Sequence, residues 1–154
     1  MSREEPARTY HYRVDREGRI FHDGTEIVDP PTLRFFLRAM TRTPDDRWLV
    51  VCQGEYNWFE APATPFVVQR LTRHERDAAA ELYLAGGVHE PLDPSTLFTD
   101  GADLFCLIGR ERHPARFGRV AIQQLSPLLD GDGEPRLRLG GRLWPIAVDR
   151  VAMP

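Results

Sequence analysis

The sequence predicts an α+β domain of mostly antiparallel sheet, with two principal helices at residues 31–40 and 118–129. Three observations predict it. Tight-turn dipeptides recur between short apolar runs, among them Asp23-Gly24, Gly54-Glu55, Asp100-Gly101 and Gly140-Gly141, and such turns join antiparallel neighbours. Helical periodicity is confined to two segments, so the helices of roughly ten to fifteen residues that parallel βαβ units place between strands are missing. A hairpin–helix–hairpin pattern over 19–60 recurs over 104–148: Gly24 and Gly109 are 85 apart, and Gly54/Gly140 and Trp58/Trp144 are 86 apart. That spacing is too long for a solenoid repeat and predicts an internal duplication of one supersecondary unit, joined by residues 62–103.

Taken in order, residues 1–8 read as a polar, frayed tail ahead of a single domain that spans 1–154. The alternating run Tyr10 to Val14 turns through Asp15-Arg16-Glu17-Gly18 into residues 19–22. With Gly18 at the left-handed position of a bulged three-residue loop, Val14 faces Ile20 and Tyr12 faces His22, which collects the apolar residues on one side. The other register, His11 opposite His22, scatters them. Asp29 caps the helix, Pro30 and Pro31 occupy its first turn, and Leu33, Phe36, Leu37 and Met40 form its apolar face. The Gly54-Glu55 turn pairs Val51 with Trp58 and Val50 with Phe59, and both faces of that hairpin are apolar enough to be sandwiched between layers.

Residues 65–73 read as a strand, followed by strands at 80–84 and 88–92 around Gly86-Gly87. Asp93-Pro94-Ser95 is a helical turn or a loop, and strands at 97–99 and 104–108 flank Asp100-Gly101. His113 to Arg116 lead into the second helix, which Pro127 shortens or kinks, and strands at 135–139 and 142–148 flank Gly140-Gly141.

A chain of 154 residues removes roughly 68–70% of its unfolded surface from water, enough for a core without staples. The charged N-terminus and the absence of a long apolar run predict a cytoplasmic protein with no membrane association. Cys52 and Cys106 lie inside predicted strands and read as buried thiols. All 20 basic Lys+Arg positions are arginine, which excludes lysine Schiff bases and phosphate-loop lysines, because arginine stays protonated.

No metal motif is present, since the histidines at 11, 22, 74, 89 and 113 lack ligand spacing; no cofactor motif is present either. Arg34, Arg38 and Arg42 repeat at helical spacing, a stripe able to bind phosphate or carboxylate as well as a solvated face. Asn57 and Trp58 sit beside a hairpin tip. His89 and Glu90 follow the Gly86-Gly87 bend, where backbone approaches a ligand or merely bulges.

Tyr10, Tyr12, Val14-Asp15, Gly18, Phe21 and Asp23, the segment Cys52/Gly54/Asn57-Trp58, the run Pro65-Phe66-Val67-Val68, and Gly86-Gly87 with Pro94 and Leu97 resemble uncharacterised protein family 0598, also known as domain of unknown function 4505. Members of that family include eukaryotic proteins with a mitochondrial presequence, which the charged start of this sequence does not resemble, so a bacterial form is expected and a mitochondrial location is not. The hairpin–helix–hairpin run is also similar to domain of unknown function 1285, a bacterial family with repeated motifs and a suggested signalling role. Neither family implies catalytic residues.

Two functional readings follow. The first is a non-enzymatic module that binds a small anionic ligand or a partner protein, with Arg34, Arg38, Asn57 and Trp58 as binding residues. The second is a hydrolase-type enzyme with His89 and Glu90, or more weakly His22 and Asp23, as general base. Adjacent residues on a strand point to opposite faces, so neither pair works without a bend. With a formal net charge of −3, the chain lacks the basic footprint of a nucleic-acid binder. Passage through a heparin column near neutral pH without salt-dependent retention is the expected result; retention released by salt contradicts it.

Overall fold

The computed structural model describes residues 8–74, 76, 78–131 and 133–148; all of the tail except Arg8 lies outside them. The first hairpin is set by local chemistry. Asp15 Oδ1 accepts from the backbone N–H groups of Glu17 and Arg19, each at 2.9 Å, and Gly18 takes φ +85°. Strand β1 (Thr9–Val14) therefore meets β2 (Ile20–His22) in the bulged register, Val14 against Ile20 and Tyr12 against His22, as expected. Strand β3 (Thr25–Glu26) follows the Asp23-Gly24 turn. Helix α1 (Pro30–Ala39) starts at the Asp29 carboxylate, which accepts from the Thr32 N–H at 3.1 Å and from its hydroxyl at 2.6 Å; those two bonds hold Asp29 below the usual carboxylate range.

Strands β4 (Thr41–Arg42), β5 (Trp48–Cys52) and β6 (Glu55–Glu60) form a meander. Its tight loop is Gln53-Gly54, at φ +54° and +79°, not Gly54-Glu55. Val51 thus pairs with Tyr56 and Val50 with Asn57, a two-residue slip that leaves every side chain on its expected face. The inner face is buried through Trp48, Val50, Asn57 and Phe59, whereas Val51 on the outer face is 51% exposed. On that outer face Leu49 is buried, so the hairpin is covered fully on its inner side and only in part on the other. Beneath it Tyr12 stacks on Phe59 at 4.8 Å, and Phe36 of α1 meets both rings edge-on at 5.1 Å. These contacts accompany a parallel join between β1 and β6, which closes a six-stranded mixed sheet in the order β3-β2-β1-β6-β5-β4.

The expected strand at 65–73 divides at Gln69 into β7 (Val67–Val68) and β8 (Arg70–His74). Strand β8 joins β9 (Ala79–Tyr83) and β10 (His89–Pro91) in an antiparallel sheet. A 3-10 turn at Ala85–Gly87 separates the last two, and another at Pro94–Thr96 precedes β11 (Phe98–Asp100) and β12 (Asp103–Ile108). His113 to Arg116, expected to lead into a helix, instead belong to β13 (His113–Phe117). Its parallel neighbour β7 supplies the reason: the Arg116 N–H donates to Phe66 O and the Gly118 N–H to Val68 O, both at 2.9 Å. The sheet runs β11-β12-β13-β7. Antiparallel pairs outnumber parallel ones, but both large sheets are mixed.

Helix α2 (Arg119–Leu125) is shorter than the expected 118–129 and passes into a 3-10 turn, Ser126–Leu128, at Pro127, which has no N–H for the helical ladder. Strands β14 (Leu129–Asp130), β15 (Arg136–Leu139) and β16 (Arg142–Pro145) form a further antiparallel sheet. The order strand–strand–helix–three strands thus occurs in both expected units. In the first all five strands share one sheet, and in the second they are split between two, so the expected duplication does not extend to the sheet connectivity.

Gly86 marks the closest approach between distant segments. At φ +69°, a Cβ there would lie 2.8 Å from Arg34 N and 2.8 Å from Leu33 Cβ of α1, whereas one at Gly24 (φ +80°) would meet nothing within 4 Å. Gly24→Ala is expected to cost about 1–2 kcal/mol from backbone strain alone, and Gly86→Ala at least twice as much, because helix backbone must shift. Urea unfolding of both variants checks this; equal losses contradict the close packing.

Candidate functional site

The β12–β13 hairpin separates two clefts. Its tip is held from outside: the Gly109 N–H donates to both carboxylate oxygens of Glu90 on β10, at 3.1 Å each. Alternation along the strands places Phe105, Leu107 and Pro114 on one face and Ile108 and His113 on the other.

The first cleft has a volume of about 440 Å³. Its floor is Phe105, Leu107 and Pro114, with Phe98 stacked on Phe105 at 5.1 Å. Arg42 and Arg112 line it, with Asp100. Arg42 lies 5.1 Å over the Trp48 ring and pairs with Asp46; Arg112 stands 3.6 Å from Asp93. Each guanidinium carries five N–H donors, so both retain donors for a ligand. Asp93 is also occupied elsewhere: the Ser95 hydroxyl donates to it at 2.7 Å and, with the Ser95 N–H, holds its pKa below the usual carboxylate range.

The second cleft, about 240 Å³, is lined by Leu37, Arg38, Val88, Glu90, Glu111 and His113, among others. The His113 ring stacks on Phe66 at 5.0 Å and meets Trp48 edge-on at 5.2 Å. Burial pulls its pKa below 6.5, nearby Arg42 adds to this, and Glu111 and a hydrogen bond to the Met40 backbone oppose it. Its Nε2 is buried and has no hydrogen-bond partner among the described residues.

The four expected binding residues do not converge. Arg34 donates from Nη1 to the Gly86 carbonyl at 2.9 Å, tying α1 to the glycine bend. Asn57 is 6% exposed and donates to Val50 O at 3.1 Å across its own hairpin. Trp58 lies on the outer sheet face with Arg47 at 3.8 Å over its ring, while Arg38 lines the second cleft. Arg42 is not on the helix stripe, because α1 ends at Ala39 and Arg42 belongs to β4.

His89 finds its carboxylate in Glu81, 2.7 Å from Nδ1, and stacks on Tyr83 at 5.5 Å; Glu90 bonds the Gly109 backbone instead. His22 bonds His11 O at 3.2 Å and lies 3.4 Å from Asp23. Both cysteines are free; burial raises the pKa of the Cys106 thiol far above its ordinary value, which leaves it unreactive, and Cys52 is half-buried. No group of three His, Cys, Asp or Glu among the described residues is placed to hold a metal ion, and no helix among them is long and apolar enough to cross a membrane. Sequence reading missed Arg112 and His113, which take their places from a hairpin it did not contain; the turn glycine Gly109 was the available signal.

His113 sets a pH dependence of stability. The unfolded ring takes up a proton near pH 6.5, and the folded ring only at lower pH. Below pH 6.5 the unfolded state binds more protons, so stability present above that pH is lost as pH falls. His113→Phe keeps the stacked ring and removes the titration. Its thermal midpoint is expected to fall less than that of the parent between about pH 7 and about pH 5; parallel curves contradict the assignment.

No family profile matches the chain, and no curated protein matches it; the resemblance to family 0598 thus has no counterpart in these comparisons. Two solved structures share its fold. The crystal structure of a DUF1285 family protein from Silicibacter pomeroyi DSS-3 is similar with a TM-score of 0.66 and 20% identity, over 100% of this chain and 94% of that one. That of a DUF1285 family protein from Shewanella baltica OS155 gives 0.59 and 12%, over 75% and 90%. At these identities the likeness is one of fold.

Proposed function

We propose that the protein is a non-catalytic module that binds a small anionic ligand with an apolar body in the cleft between Arg42 and Arg112. One observation carries the reading: two guanidinium groups with spare donors line an aromatic and aliphatic floor. The volume of about 440 Å³ falls within the range of small-ligand sites, roughly 300–1,000 Å³, which combine apolar walls with a few oriented polar groups. Guanidinium forks match carboxylate geometry bidentately, and Phe105, Leu107 and Pro114 remove the ligand's hydrocarbon from water. A medium-chain carboxylate has this chemistry.

A hydrolase-type reading has one observation in its favour. His89 is oriented by Glu81 at 2.7 Å, the carboxylate–imidazole arrangement that general-base catalysis uses, with Glu81 in the role expected of Glu90.

Titration calorimetry with octanoate is the test. Octanoate is expected to bind, to raise the melting temperature, and to bind at least about tenfold more weakly to Arg42→Ala and Arg112→Ala, with Arg38→Ala unaffected. No binding, or binding indifferent to both arginines, overturns the proposal. Hydrolysis of p-nitrophenyl octanoate that is lost in His89→Ala, with the melting temperature kept, overturns its non-catalytic part.

A further inference from the structure

The second cleft carries an inference independent of the first. Arg38 and Glu111 line it with opposite charges, yet neither forms an ion pair or hydrogen bond with the other or with any other described residue. Leu37, Val88 and Ile108 form the apolar part of the same lining. His113 also lines the cleft, with its Nε2 buried beneath the surface. Glu90 spends its two oxygens on one N–H, that of Gly109, and a carboxylate has lone pairs for more.

We propose that this cleft binds a small zwitterion, an α-amino acid with an apolar side chain. Its carboxylate pairs with Arg38, its ammonium group faces Glu111 and the free lone pairs of Glu90, and its side chain lies against Leu37, Val88 and Ile108. A volume of about 240 Å³ admits a ligand of that size and excludes a long peptide. A monovalent anion satisfies Arg38 and leaves Glu111 opposed; a simple amine does the reverse. A ligand of both charges pairs with the two together.

Calorimetry with free L-leucine, N-acetyl-L-leucine and L-leucinamide tests it. Leucine is expected to bind, and each blocked derivative to bind at least about tenfold more weakly. Arg38→Gln, with an unchanged melting temperature, is expected to weaken leucine and to abolish the preference for leucine over leucinamide; Glu111→Gln abolishes the preference over N-acetyl-leucine. Arg112→Ala leaves leucine binding intact, which separates this result from that for the first cleft. No binding at millimolar leucine, equal binding of a blocked derivative, or indifference to Arg38 and Glu111 overturns the proposal.

Discussion

One buried guanidinium fixes how the two large sheets meet. Arg116 is 2% exposed, and its Nη2 donates to the Arg16 carbonyl in the tip of the β1–β2 hairpin at 2.6 Å. Burial pulls its pKa down, Arg16 adds to this, and Asp103, Glu17 and Asp15 oppose it. An arginine does not shed its proton to escape such a place, so the surroundings must supply compensation. Arg16 itself reaches Asp103 on β12 at 2.8 Å. Gly18 completes the contact, since a Cβ there would lie 2.9 Å from Val67 Cβ. The hairpin tip is thereby seated on β7, β12 and β13, and a buried charge with few alternatives gives that docking one geometry.

The clefts follow from this seating. With β13 held parallel to β7, the β12–β13 hairpin projects beside the C-terminal end of α1. Arg38, on the last turn of the helix, then lines the cleft on one face, and Arg42, after the chain has entered β4, lines the cleft on the other. Thr64 supports the hairpin between them: it is fully buried and donates to the Pro114 carbonyl at 2.7 Å. Two arginines four residues apart serve different surfaces because the helix stops between them.

What the sequence made legible was local. The Asp15–Gly18 turn, the Val14–Ile20 register and the Asp29 cap each depend on residues within a few positions of one another. The Gln53-Gly54 loop was misread because glutamine is an unusual occupant of a left-handed turn position. Strand β13 was hidden because Pro114 and Arg116 interrupt its apolar pattern; Arg116 is buried through a contact 100 positions distant, with Arg16. The parallel joins of β1 with β6 and of β13 with β7 are likewise set by partners far along the chain. Of the candidate site, Arg38 and Arg42 were visible as members of a basic stripe at helical spacing. Their separation and the roles of Arg112, Glu111 and His113 come from tertiary packing.

Because every basic Lys+Arg position is arginine, side-chain Nε–Hε resonances report on each cation of the protein separately. Following them by NMR through a titration with octanoate locates the anion directly. The account requires that the Arg42 and Arg112 signals shift together and saturate along one binding curve, with Arg34, Arg47 and Arg116 still. Shifts spread over many surface arginines without saturation, or confined to arginines outside that cleft, contradict it.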